Sequence, residues 1–182
     1  MIFDIKDAIW TKRKRIPLVV KPADCPAAIL YGKTEEDEDI IGMVHASWHT
    51  ADIGLPYELI VHLLKQGVKA DSIRAAVSPG IFMPYFSTDY DNIKYPKNWY
   101  GNARLTVMPD RSKRLNLDIA GAMVSQLIQA GVNPLNIEIH RLNSYTEAIK
   151  GNAFSNQLEN DQASQGIENV RRGRHLVAAM LV

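Results

Sequence analysis

The sequence predicts an α/β protein whose helices cover the faces of a sheet. Two observations carry this. Short apolar runs of strand length alternate along the chain with two longer segments of helical periodicity. Both helical segments also leave by the same route: Leu63-Leu64-Lys65-Gln66-Gly67-Val68 leads to an apolar run at 73–77, and Leu127-Ile128-Gln129-Ala130-Gly131-Val132 leads to another at 137–141. This echo of helix, tight turn and strand fits common helix-exit chemistry as readily as duplication.

Taken in order, the basic run Lys12-Arg13-Lys14-Arg15 precedes a strand over 16–20. Residues 27–31 and 40–44 form two strands of a hairpin, with a turn over 32–39 that holds Glu35-Glu36-Asp37-Glu38-Asp39. Both charge clusters read as solvated loops, since like charges repel and avoid packed positions. Pro56 sits where a first-turn proline belongs, Leu55, Leu59, Ile60, Leu63 and Leu64 share a face, and Gly67 is the stop, so helix one spans 55–66. Asp118 is the N-cap expected for helix two, in which Ile119, Met123, Val124, Leu127 and Ile128 recur at helical spacing before Gly131.

Between Pro79 and Arg114 the pattern loosens into an aromatic and proline-rich connection holding Phe82, Tyr85, Phe86, Tyr90, Tyr95, Trp99 and Tyr100. Such a stretch either walls a substrate pocket or pegs an irregular loop to the core. Residues 152–168 are polar and read as a mobile stretch, and a final strand runs over 176–182.

The chemistry concentrates at Pro22-Ala23-Asp24-Cys25-Pro26 and His45-Ala46-Ser47-Trp48. An antiparallel hairpin centred on Glu35 sets residue 25 opposite residue 45, and cross-strand Cβ atoms lie about 4.5–5.5 Å apart. A thiolate and an imidazole at that spacing can share one Zn²⁺ or act as nucleophile and base. Either residue alone is more simply a small buried hydrophobe or a core histidine. The pair, with Asp24 beside the thiol to orient a ligand or accept a proton, reads as a site; a turn-capping role for Asp24 is the alternative.

Bulk numbers narrow the function. A chain of 182 residues, 46% hydrophobic and 23% charged, suits one domain over 1–182. The net charge of +1 lacks the basic footprint of a nucleic-acid binder and points to a small-molecule substrate. One cysteine excludes an intrachain disulfide and fits a reducing cytoplasm. No apolar run reaches the ~18 residues of a membrane span, and the N-terminal residues lack the order of a signal peptide. Oligomeric state is not legible.

Several segments, in order, resemble the laccase-domain family, also called multicopper polyphenol oxidases, whose members act as zinc-dependent purine nucleoside phosphorylases. Asp7-Ala8-Ile9-Trp10-Thr11 is similar to the family's D-A-x-x-T, Ala23-Asp24-Cys25-Pro26 to its T-A-D-C-x-P, and His45-Ala46-Ser47-Trp48 to its H-A-G-W-R-G. Ser78-Pro79-Gly80-Ile81, Leu117-Asp118 and Gly173-Arg174 match later motifs. The resemblance implies a four-layer α-β-β-α sandwich with mixed sheets, related to the deamidase fold of cytotoxic necrotizing factors. It implies a zinc held by one cysteine and two histidines, with Cys25 and His45 at two of those positions, and phosphorolysis of purine nucleosides with adenosine deamination beside it. Asp24 joins them as a catalytic candidate, Arg174 as the cation for phosphate, and Trp48 as a substrate contact. Some members are described instead as peptidoglycan-editing factors, which sets a Cys-His hydrolase or amidase acting on a cell-wall precursor as another reading. One cysteine and five scattered histidines do not make a multicopper cluster.

The departures matter as much. The family's other histidine ligand lies upstream of D-A-x-x-T, and none of the residues before Asp7 is histidine, so the chain reads as short at its N-terminus. Trp48-His49-Thr50 replaces W-R-G, and Phe154-Ser155-Asn156-Gln157-Leu158 replaces F-S-Y-R-R, with Arg171 and Arg172 as distant substitutes. His49, His140 and His175 are the candidates for a third ligand. A weakly active or non-catalytic paralogue that binds a nucleotide or a protein partner is therefore the rival expectation, with zinc held weakly or not at all.

Overall fold

The computed structural model describes residues 3–5, 7–168 and 172–182, with side chains from residue 7 onward. Met1, Ile2 and Lys6 of the N-terminal segment, and Arg171, lie outside the described residues. In chain order the strands and helices are β1 (Phe3–Ile5), β2 (Ala8–Thr11), β3 (Leu18–Val20), β4 (Ala27–Lys33), β5 (Asp39–His45), α1 (Trp48–Asp52), α2 (Leu55–Lys65), β6 (Arg74–Val77), β7 (Ser87–Asp89), β8 (Ala103–Val107), β9 (Lys113–Leu117), α3 (Ile119–Gln129), β10 (Ile137–Ile139), α4 (Ser144–Ile149), α5 (Asn156–Ser164) and β11 (Val177–Ala179).

The fold is mixed α/β with several sheets. Six strands form the main sheet in the order β1-β2-β5-β4-β6-β10, antiparallel except for β10 beside β6. Alternation along the strands divides its apolar residues between two faces. Ala8, Trp10, Ala28, Leu30 and Val44 meet Leu59, Leu63, Met123 and Leu127 of α2 and α3 in the larger core. Ile41 and Met43 face the other way, onto Leu18 and Leu181 beside the β3–β11 ribbon.

The echoed helix exits are one backbone motif used twice. After α2, Val68 N donates to Leu63 O at 3.1 Å and Gly67 N to Leu64 O at 3.0 Å; after α3, Val132 N donates to Leu127 O at 3.1 Å and Gly131 N to Ile128 O at 3.0 Å. Gly67 and Gly131 take φ of 80° and 106°, the left-handed conformation this exit requires. The two strands reached, β6 and β10, lie side by side in parallel, Ile137 opposite Ala75. Asp118 caps α3 as expected, accepting from Gly121 N at 2.9 Å.

Four expectations are corrected. The hairpin turns one residue later than a centre at Glu35, so Ala27, not Cys25, pairs with His45. The connection after Pro79 carries a second antiparallel sheet, β7-β9-β8. It is pinned by buried Asp52, whose carboxylate accepts from Lys94 N at 3.0 Å, Tyr95 N at 3.2 Å and Trp99 Nε1 at 2.9 Å. The polar stretch over 152–168 folds into α5, and α4 precedes it. The outer strands are shorter than expected, three residues each in β3 and β11. The two charge clusters also meet, Lys12 Nζ lying 2.6 Å from Glu38 Oε2.

Candidate active site

The antiparallel pairing of Ala8 with Val44 continues one step to bring Asp7 beside His45. His45 N donates to Asp7 O at 2.7 Å, and His45 Nδ1 lies 2.8 Å from Asp7 Oδ1. An ionised carboxylate only accepts, so the contact puts hydrogen on Nδ1, and in the neutral form of the ring that leaves the lone pair on Nε2. This is the arrangement in which a carboxylate fixes an imidazole for proton transfer or for metal ligation. The His45 side chain is 21% exposed, enough for a solute to reach it. Its carbonyl accepts from Thr50 Oγ1 at 3.2 Å, while Ser47 caps α1 by accepting from Thr50 N at 3.2 Å. Thr50, in place of the motif's glycine, thus braces the end of the strand that carries His45.

Cys25 lies not on β4 but in the bend before it. The bend exists because Asp24 adopts φ 80° and is held from three directions. Its carbonyl accepts from Ile81 N at 2.7 Å, Oδ1 from Ser144 Oγ at 2.6 Å, and Oδ2 from Gln157 N at 2.7 Å. Gln157 belongs to the first turn of α5, where a carboxylate is favoured by the helix dipole. Gly80 makes the close approach possible, since a Cβ there would stand 3.0 Å from both Asp24 O and Pro26 Cδ. Both oxygens of Asp24 are engaged in docking α4 and α5, which makes it a positioning residue for the Cys25 loop.

Burial first, then the charges of Asp24 and Asp7, push the Cys25 thiol up to about 11; the Arg174 guanidinium pulls the other way. At neutral pH only about one thiol in ten thousand is ionised at that value. A bare nucleophilic cysteine would be tuned in the opposite direction.

The other candidates are scattered. Arg174 is half-exposed, 3.8 Å from Glu159 Oε1, and its charge reaches Cys25. Trp48 is partly buried against the main core with the His49 ring centroid 3.5 Å from its own. His140 is exposed at the end of β10, its N–H on Val77 O at 2.9 Å. His175 pegs the C-terminal segment, with N on Pro22 O at 2.7 Å and Nε2 2.8 Å from Phe154 O. Sequence reasoning named Asp7 and Gln157 only as parts of motif segments and missed Ser144; the D-A-x-x-T match was the available signal for Asp7.

Cys25 and Nε2 of His45 are apt zinc donors in kind, but among the described residues no three His, Cys, Asp or Glu side chains gather into a metal-holding group. Catalytic zinc uses three protein ligands. Among the described residues the donor set falls short of that.

Comparison with known proteins places these residues in context. The sequence model described as "Multi-copper polyphenol oxidoreductase laccase" matches residues 3–167. The chain is 25% identical over 132 residues to "Adenosine deaminase RL5" of an unknown prokaryotic organism, covering 72% of this chain and 49% of that protein. It is 28% identical over 130 residues to "Purine nucleoside phosphorylase" of Deinococcus radiodurans, covering 71% and 49%. The chain therefore spans about half the length of these curated relatives. Among solved structures, the Bacillus licheniformis hypothetical protein YfiH aligns with a TM-score of 0.73 at 19% identity, over 97% of this chain and 61% of that one. YlmD from Geobacillus stearothermophilus gives 0.73 at 18% identity, over the same shares of 97% and 61%.

Proposed function

The chain belongs to the multi-copper polyphenol oxidoreductase laccase family, and from that premise we propose that it processes purine nucleosides, by phosphorolysis first and adenosine deamination second. Relatives named for those two activities support the reading. The single observation that carries it in this chain is His45, held by Asp7 through Nδ1 with Nε2 left to work. In this reading Nε2 holds or moves the proton at the reacting centre, Arg174 supplies positive charge for phosphate, and Trp48 offers its indole to the substrate. Zinc, held weakly if at all, belongs to the same proposal, with Cys25 and His45 as the donors of suitable kind. A four-layer sandwich and a cytoplasmic location belong to it as well. The first is supported by a helix layer, the six-stranded sheet and the β3–β11 ribbon in succession. The second is consistent with the single cysteine.

A non-catalytic paralogue is favoured by the short donor set and the neutral thiol. The thiol weighs equally against a metal-free Cys-His hydrolase. The deciding experiment follows base release from adenosine and inosine, with and without phosphate and added zinc. Phosphate-dependent release that disappears in His45→Ala supports the enzyme; a folded, zinc-supplied wild type that releases nothing supports the paralogue.

A further inference from the structure

A cleft of about 280 Å³ opens beside the Asp24 loop, walled by Pro22, Pro79, Leu142 and Leu176, with Glu147 and His175 among its polar groups. Neither Cys25 nor His45 lines it, yet it adjoins the bend that holds Cys25: Ser144, in its wall, donates to Asp24. We propose that this cleft binds the base of an aminopurine nucleoside, with the Glu147 carboxylate accepting a hydrogen bond from the exocyclic amine. The identification of the ligand as a nucleoside rests on the functional reading above.

The cleft's size and walls suit one flat heteroaromatic ring system, being near the lower end of the ~300–1,000 Å³ of small-molecule pockets. Its charge selects further. Lys150 Nζ at 2.7 Å on Oε1 and Asn152 Nδ2 at 3.1 Å on Oε2 hold Glu147 below the usual carboxylate range. It is ionised at neutral pH and acts only as an acceptor, and two bonds leave lone pairs on the carboxylate for a ligand. Its side chain is 16% exposed, whereas that of Lys150 is 62% exposed. A ligand's N–H donors are therefore welcome at this carboxylate. Phosphate is better placed near Arg174, which directly precedes His175 of the cleft wall.

Adenosine and purine riboside differ only in the amine and make a clean pair of probes. Calorimetric binding to the full chain is expected to be at least about tenfold weaker for purine riboside, the worth of one charge-assisted hydrogen bond. Glu147→Met, close in shape and without an acceptor, is expected to level the two affinities. Ala153→Trp, which fills the cleft, weakens both. Equal affinities in the wild type, no binding of adenosine, or binding unchanged by both substitutions would overturn the site. Turnover separates this from the wider reading. Binding as expected with no base release leaves the cleft standing and removes the enzyme, while His45-dependent release untouched by the cleft variants removes the cleft and keeps the enzyme.

Discussion

Asp7 and Asp24 both bear on Cys25 by charge, yet they use their carboxylates in opposite ways. Asp7 sits at the end of the main sheet, where strand register fixes its backbone against His45, and it gives one oxygen to Nδ1. Asp24 lies in a left-handed bend off the sheet and gives both oxygens to the starts of α4 and α5. The first arrangement presents a side chain to solvent in a set orientation; the second assembles a wall from segments far apart in sequence. His45 is carried by the ladder, whereas the Asp24 bend is tied to α4 by a bond between side chains and to α5 by one from backbone to side chain.

That contrast can be broken from either side. The largest effect is expected at the sheet end: His45→Ala should lower nucleoside turnover by roughly 10³-fold, within the range of general acid–base catalysis, with thermal stability nearly unchanged. An equally large loss of stability would show that His45 is a packing residue. Asp24→Ala should do the reverse. Removing two charge-assisted hydrogen bonds at a buried carboxylate costs about 3 kcal/mol, or roughly 6–12 °C in a chain of this size. Proteolysis should then begin at α4 and α5; cleavage starting elsewhere would contradict the clamp.

The thiol between the two aspartates gives a smaller, pH-linked effect. Its folded pKa of about 11 lies above the ordinary thiol value, so the proton is bound more tightly when folded. Its contribution is fully present below pH ~9 and is lost as pH rises toward ~11, for a total on the order of 2–3 kcal/mol in metal-free protein. Cys25→Ser should abolish that alkaline slope in denaturant titrations; an unchanged slope would assign it to other groups.

Sequence pattern reached the buried, periodic parts of this molecule. The hairpin, α2, α3 and their exits were legible because apolar spacing and left-handed glycines mark them directly. The register was missed by one residue in the turn, since five consecutive acidic residues offer no signal for where the chain reverses. That slip moves the partner of His45 by two positions, which preserves sheet face but takes Cys25 off the paired strand. The β7-β9-β8 sheet was missed because β8 is almost wholly exposed and shows no alternation. Helix α5, Asn-Gln-Leu-Glu-Asn-Asp-Gln-Ala-Ser, buries no residue and is set by the Ser155 cap and the Asp24 bond, neither of which periodicity reveals. Cys25 and His45 stood out in the sequence as candidates, while Asp7 and Ser144, which hold His45 and the Asp24 bend, lie 38 and 120 residues from the groups they hold.

The smallest expected effect isolates Asp7. Asp7→Asn keeps an acceptor for Nδ1 and loses the charge, so turnover should fall about tenfold with little change in stability. What this substitution probes through a rate, long-range ¹⁵N–¹H correlation of the His45 ring reads directly in the resting protein. Near pH 8 the Asp7 contact predicts the tautomer with hydrogen on Nδ1 and a bare Nε2, lost in Asp7→Ala. A His45 ring with its hydrogen on Nε2 in the wild type would contradict the account, because the nitrogen assigned to the chemistry would then be the one already occupied.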